Sequence, residues 1–130
     1  MSLQKVLLDA SAYIAYLNKE PGYEVIQDCM HIACINTVTY SEIIAFYARN
    51  GISDKNVLSK ICQYVHILDI NQKICFDAGC LITQSTKYGL SLGDRICLSS
   101  AIHYNIPVYT ADKIWQKLAN LINVKVNLVR

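Results

Sequence analysis

Five short apolar runs punctuate the chain: KVLL (5–8), HIACIN (31–36), VHILDI (65–70), PVYT (107–110) and VKVNLV (124–129). The intervals between them carry apolar residues at helical rather than alternating spacing. Antiparallel strands can be joined by tight turns, whereas parallel strands need a long crossover, commonly a helix. The pattern therefore predicts a central, mainly parallel sheet covered by helices on both faces, an α/β/α sandwich of three layers. A length of 130 residues suits one core of this kind, so 1–130 is expected to be a single domain.

Local signals place the helices. One is expected at about 11–19, closed by Pro21-Gly22, and a second at about 23–30. TYSEIIAFYARNG predicts a third from about residue 40 to Asn50-Gly51, with Thr39-Tyr-Ser-Glu42 as its capping box. Ser53 is the expected cap of a fourth, ending near Tyr64. A long helix is expected from 71 to Tyr88, another over 92–104, and a short one over 112–120.

Composition narrows the class. The chain is 53% hydrophobic and 17% charged, which excludes a disordered polyelectrolyte, and its net charge of +2 permits a polyanionic partner without demanding one. No apolar run reaches the roughly 20 residues of a membrane span. The opening MSLQKVLLDASAYIAYL is interrupted by Asp9 and reads as part of the fold rather than as a signal peptide. Six cysteines form no Cys-x-x-Cys pair and have no zinc-like histidine spacing. A reducing, cytoplasmic setting is the expectation.

Two acids stand where an α/β sheet binds its ligands, outside the carboxyl ends of the strands, and two more can reach that rim if the strand order allows it. Asp9 follows VLL, Asp112 follows VYT-Ala, and Glu42 and Asp94 fall in first helical turns. Each has a structural reading as well: Asp9 and Asp112 as N-caps, Glu42 as the partner of Thr39, Asp94 as the partner of Ser91. As a set they imply more. Two carboxylates about 5 Å apart repel by roughly 3 kcal/mol at an effective dielectric of 20, so such a cluster calls for a cation or for protonation. Oxygen donors favour Mg²⁺ or Mn²⁺ over zinc, and an ion of that kind suits phosphodiester hydrolysis.

LLDASAYIAYLNKEPG (7–22), TVTYSEI (37–43), LSLGDRICLSSA (90–101) and YTADKIW (109–115) resemble, in this order, the signature blocks of PIN-domain ribonucleases, most of all the VapC toxins of type II toxin–antitoxin systems. The resemblance implies the same α/β/α fold and a metal-dependent endoribonuclease. By position, Asp9, Glu42, Asp94 and Asp112 match the family's acidic quartet, with Asp9 and Asp94 its most regular metal ligands and Asp94 commonly acting through water. Ser11 and Thr110 match small polar positions that touch the acids or the ion, and Asn36 replaces a usual Ser or Thr, a departure expected to leave the chemistry intact. The resemblance also implies an RNA substrate, a homodimer, a cognate antitoxin that inserts a peptide beside the site, and DNA contact only through that antitoxin. The sequence permits these partners: aromatics at Tyr13, Tyr16, Tyr23, Phe46 and Tyr47 suit a core or an interface, and Arg95 and Lys113 are candidates for RNA phosphates.

Two other readings stay open from sequence. A catalytically silent PIN fold would act as a binding module. A phosphotransfer receiver would use Asp69 as acceptor, although Asp9 is followed by Ala10-Ser11 rather than by a second acid.

Overall fold

KVLL yields a three-residue strand, β1 (Val6–Leu8), whose side chains are all buried, as a strand covered on both faces requires. A computed structural model describes residues 4–130, so residues 1–3 lie outside the described residues. After β1 come α1 (Ala10–Leu17) and α2 (Tyr23–Cys29), a short 3₁₀ turn, β2 (Ala33–Asn36), α3 (Thr37–Arg49), α4 (Lys55–Ser59) and β3 (His66–Leu68). The second half contains α5 (Gln72–Cys80), α6 (Ile82–Ser85), a 3₁₀ turn, α7 (Leu92–Tyr104), β4 (Val108–Thr110), α8 (Ile114–Ala119) and β5 (Val126–Leu128).

The five strands form one sheet in the order β3-β2-β1-β4-β5, and every pairing is parallel. Side chains alternate across the central strands and so divide the core between two faces. Val6, Leu8 and Ile35 pack with Ala12, Tyr13, Ile26 and Ile43. On the other face Leu7, Cys34 and Val108 pack with Cys97, Leu98 and Trp115. The expected sandwich is thus present. Among the described residues no helix is long and apolar enough to cross a membrane. All six cysteines are free.

Three expectations about helices need correction. The third helix starts at Thr37 rather than at about 40, because Asn36 caps it by accepting from the Thr39 N–H at 2.7 Å. Thr39 is therefore inside the helix, and Glu42 is released from the capping role its spacing suggested. The fourth helix is one short turn and a half, capped by Asp54 through the Asn56 N–H rather than by Ser53. The long helix expected over 71–88 breaks at Leu81. There the Ala78 carbonyl, which an unbroken helix would pair with residue 82, accepts from the Arg95 guanidinium at 2.9 Å.

Candidate active site

The strand order reverses between β1 and β4, the position where open α/β sheets leave a crevice at their carboxyl ends. Asp9 follows β1 there, and Thr110 ends β4 beside it. A hollow of about 140 Å³ opens at this point, lined by Asp9, Ser11, Glu42, Gly93, Asp94, Cys97, Asp112 and Trp115 among others. All four acids singled out in the sequence border it.

Asp9 is buried and held on both oxygens. Its Oδ1 accepts from the Ser11 hydroxyl at 2.7 Å and from the Ala12 N–H at 2.8 Å, which also caps α1. Its Oδ2 accepts from the Thr110 hydroxyl at 2.6 Å. Those hydroxyls are fixed in turn, Ser11 by the Ala111 N–H at 2.9 Å and Thr110 by the Asp112 N–H at 3.0 Å. A carboxylate has about four acceptor positions, so this network orients the group and leaves Oδ2 with capacity for one more partner. Burial pushes the Asp9 carboxyl up to about 6, against the pull of its three donors, and the charge of Asp94 adds to the rise.

Asp94 completes the capping box expected of it: the Ser91 hydroxyl accepts from the Asp94 N–H at 3.1 Å, and Asp94 Oδ2 accepts from the Ser91 N–H at 3.0 Å. Its Oδ1 is left for other partners. Glu42 comes from the adjacent helix, and its carboxyl is raised by partial burial and by the charges of Asp94 and Asp9. A Cβ on Gly93 would lie 2.8 Å from Glu42 Cδ, so the glycine of LSLGD makes room for that carboxylate. Asp112 stands at the exposed rim, where its Oδ1 accepts from the Ile114 N–H at 3.0 Å and starts the turn into α8.

Among the described residues no three His, Cys, Asp or Glu side chains are close enough to form a ready ligand cage. The donor set is nevertheless that of a hard cation. Mg²⁺ keeps several waters and is commonly held through one or two carboxylates, which matches acids that border a hollow with room for water.

Several positions differ in weight from their reading in sequence. Arg95 does not line the hollow, and its Nη1 donates to the Ala78 carbonyl of α5 at 2.9 Å. Lys113 is exposed next to Asp112 and keeps its candidacy for an RNA phosphate. Gly93 and Cys97 were not singled out as site residues, although Cys97 lies one helical turn beyond Asp94, on the same side of α7. Asn36 was read as a minor departure, yet it is fully buried and caps the helix that carries Glu42. The Asp69 required by a receiver follows the edge strand β3, away from the hollow, and a receiver-type sheet runs 2-1-3-4-5. That reading fails on topology.

An all-parallel α/β/α sandwich with carboxylates collected at its switch point defines a class of acidic-pocket domains. Within that class the chain belongs to the PIN-domain family, whose model matches residues 6–121. No curated protein sequence matches the chain. Among solved structures, it is similar to DNA-bound VapBC from Salmonella typhimurium, at 15% identity and a TM-score of 0.75, covering 98% of this chain and 100% of that one. VapBC2 from Rickettsia felis, bound to a promoter fragment, gives 18% identity and a TM-score of 0.73 over 96% and 98%. VapBC-1 from nontypeable Haemophilus influenzae gives 16% identity and a TM-score of 0.70 over 97% and 98%. At these identities the similarity establishes the fold.

Proposed function

We propose that the protein is a metal-dependent endoribonuclease that hydrolyses RNA phosphodiester bonds, and that it is the toxin of a toxin–antitoxin pair. The observation that carries the chemistry is the meeting of Asp9, Glu42, Asp94 and Asp112, drawn from four separate elements, around one small hollow. Asp9 and Asp94 would hold the ion, Mg²⁺ or Mn²⁺, with Glu42 and Asp112 completing the pocket. When bound, such an ion supplies a more acidic water and neutralises phosphate charge.

The chain's own groups do the rest. Ser11, Thr110 and the Ala12 N–H keep the Asp9 oxygens in one orientation. Glu42, with its raised carboxyl, sits ready to orient a water and take its proton. Lys113 beside Asp112 offers a cation for a flanking phosphate. Attack by water leaves a 5′-phosphate and a 3′-hydroxyl.

The antitoxin half of the reading is supported by structural neighbours whose names describe VapBC complexes, including the Salmonella and Rickettsia proteins bound to DNA. An apolar hollow of about 360 Å³ between α3 and α4, lined by Tyr40, Ile44 and Leu58, is a suitable seat for an antitoxin peptide. Contact with DNA would then come through the antitoxin, and a homodimer in a reducing cytoplasm completes the proposal.

The test is cleavage of RNA by the purified protein with Mg²⁺ or Mn²⁺. EDTA should stop it, and Asp9→Asn and Asp94→Ala should each lower the rate by at least about a hundredfold, beyond the cost usual for groups behind the ligands. Cleavage indifferent to chelator, or unchanged in Asp9→Asn, overturns the nuclease reading. A protein that binds a partner but cleaves no RNA with any divalent ion is the silent binding module.

A further inference from the structure

Asn36, Thr39 and Glu42 recur at intervals of three along α3 and its cap, and Asp94, Cys97 and Ser100 recur at the same interval along α7. The two rows face each other in opposite order. Asn36 Nδ2 donates to Ser100 Oγ at 3.1 Å. Thr39 lies against the Cys97 thiol, and its buried Oγ1 has no hydrogen-bond partner among the described residues. Glu42 faces Gly93 and Asp94 at the hollow. The result is a ladder of three polar rungs between antiparallel helices, two buried and one open.

The open rung is a pair of like charges, so in the absence of a cation it pushes the two helices apart. The innermost rung opposes this. Asn36 Oδ1 accepts from the Thr39 N–H at 2.7 Å, which fixes the amide so that its Nδ2 faces Ser100. Ser100 in turn donates to the Ile96 carbonyl at 2.8 Å, which leaves its lone pairs for Asn36. Both residues are fully buried, and their side-chain hydrogen-bond partners come from α3, its cap and α7.

We infer that Asn36 and Ser100 are positioning residues, which set the spacing of Glu42 and Asp94 and so the affinity of the hollow for a divalent ion. The inference rests on the metal-dependent reading of the site and adds to it a part for Asn36 that Ser or Thr in its place would not play. Either of those shorter side chains keeps the cap but falls short of Ser100. Groups behind metal-holding side chains commonly change affinity by about 10- to 100-fold.

The test is Mn²⁺ binding by calorimetry, at a temperature where every variant is folded, for wild type, Asn36→Ser, Ser100→Ala and the double variant, with Asp9→Asn as the blank. Each single variant should weaken Mn²⁺ binding by about tenfold, and the double variant should be no weaker than the worse single one, because one rung is lost in all three. Affinities within twofold of wild type in both single variants, even with lowered melting temperatures, make the rung merely structural and overturn the inference alone. Losses that multiply in the double variant also overturn it. Wild-type Mn²⁺ binding that survives in Asp9→Asn overturns the proposed ion site, and the inference with it.

Discussion

Asp9 reverses the usual pH behaviour of a folded carboxylate. Its folded pKa of about 6 lies above the ordinary value of 3.8, so between those values the folded state holds a proton that the unfolded chain has released. Stability therefore falls as pH rises through that window, and above it the buried charge costs about 3 kcal/mol. Asn fits the same network, since it still accepts from Ser11 and the Ala12 N–H and can donate to Thr110. In EDTA, Asp9→Asn should be more stable than wild type at pH 8 by about 1–3 kcal/mol, with a flatter dependence of melting temperature on pH between 4 and 7. A variant less stable at pH 8, or with the wild-type slope, refutes this account. Asp9, Asp94 and Asp112 were legible in the sequence because each follows a strand or opens a helix, whereas Glu42 stood out through a capping-box spacing that the true start of α3 removes. The weight of Asn36 was not legible, because Thr39-Tyr-Ser-Glu42 mimics a capping box, and only the true start of α3 shows that Asn36 is the cap and Glu42 is free.

At the scale of elements, periodicity identified every strand and most helices, since burial dictates it. The failures lie where a distant side chain competes with local preference. The local signal near the break at Leu81 is Gly79 alone, a weak one, and the donor that takes the Ala78 carbonyl comes from Arg95 on α7. The same bond gives Arg95 a structural part. A hydrogen bond from a charged group is commonly worth about 1.5–3 kcal/mol, so Arg95→Met should lower the melting temperature by several degrees and leave RNA cleavage within about twofold of wild type at temperatures where both are folded. Lys113→Ala should do the reverse: an unchanged melting temperature, weaker RNA binding and a salt dependence shallower by about one unit of slope. Equal losses of cleavage in both variants would support Arg95 as a phosphate contact.

For the molecule as a whole, the site exists only in the folded chain. Asp9 and Asp112 are 103 positions apart in sequence and meet because β1 and β4 are neighbours where the strand order reverses. The unfolded chain offers no such gathering, so an ion that binds the hollow binds the folded state alone and stabilises it by mass action. The ion also answers two local costs at once, the buried charge of Asp9 and the repulsion between Glu42 and Asp94. At a free concentration about 100 times its dissociation constant, Mn²⁺ should add about 2.7 kcal/mol, a rise on the order of 10 °C in melting temperature for a chain of this size. The gain should grow from pH 5 to pH 8, as Asp9 loses its proton through about 6, and should be absent in Asp9→Asn. Thermal unfolding with and without Mn²⁺ across that range reads both dependences together. A wild-type protein that Mn²⁺ fails to stabilise at pH 8 would show that the four acids meet for some purpose other than holding an ion.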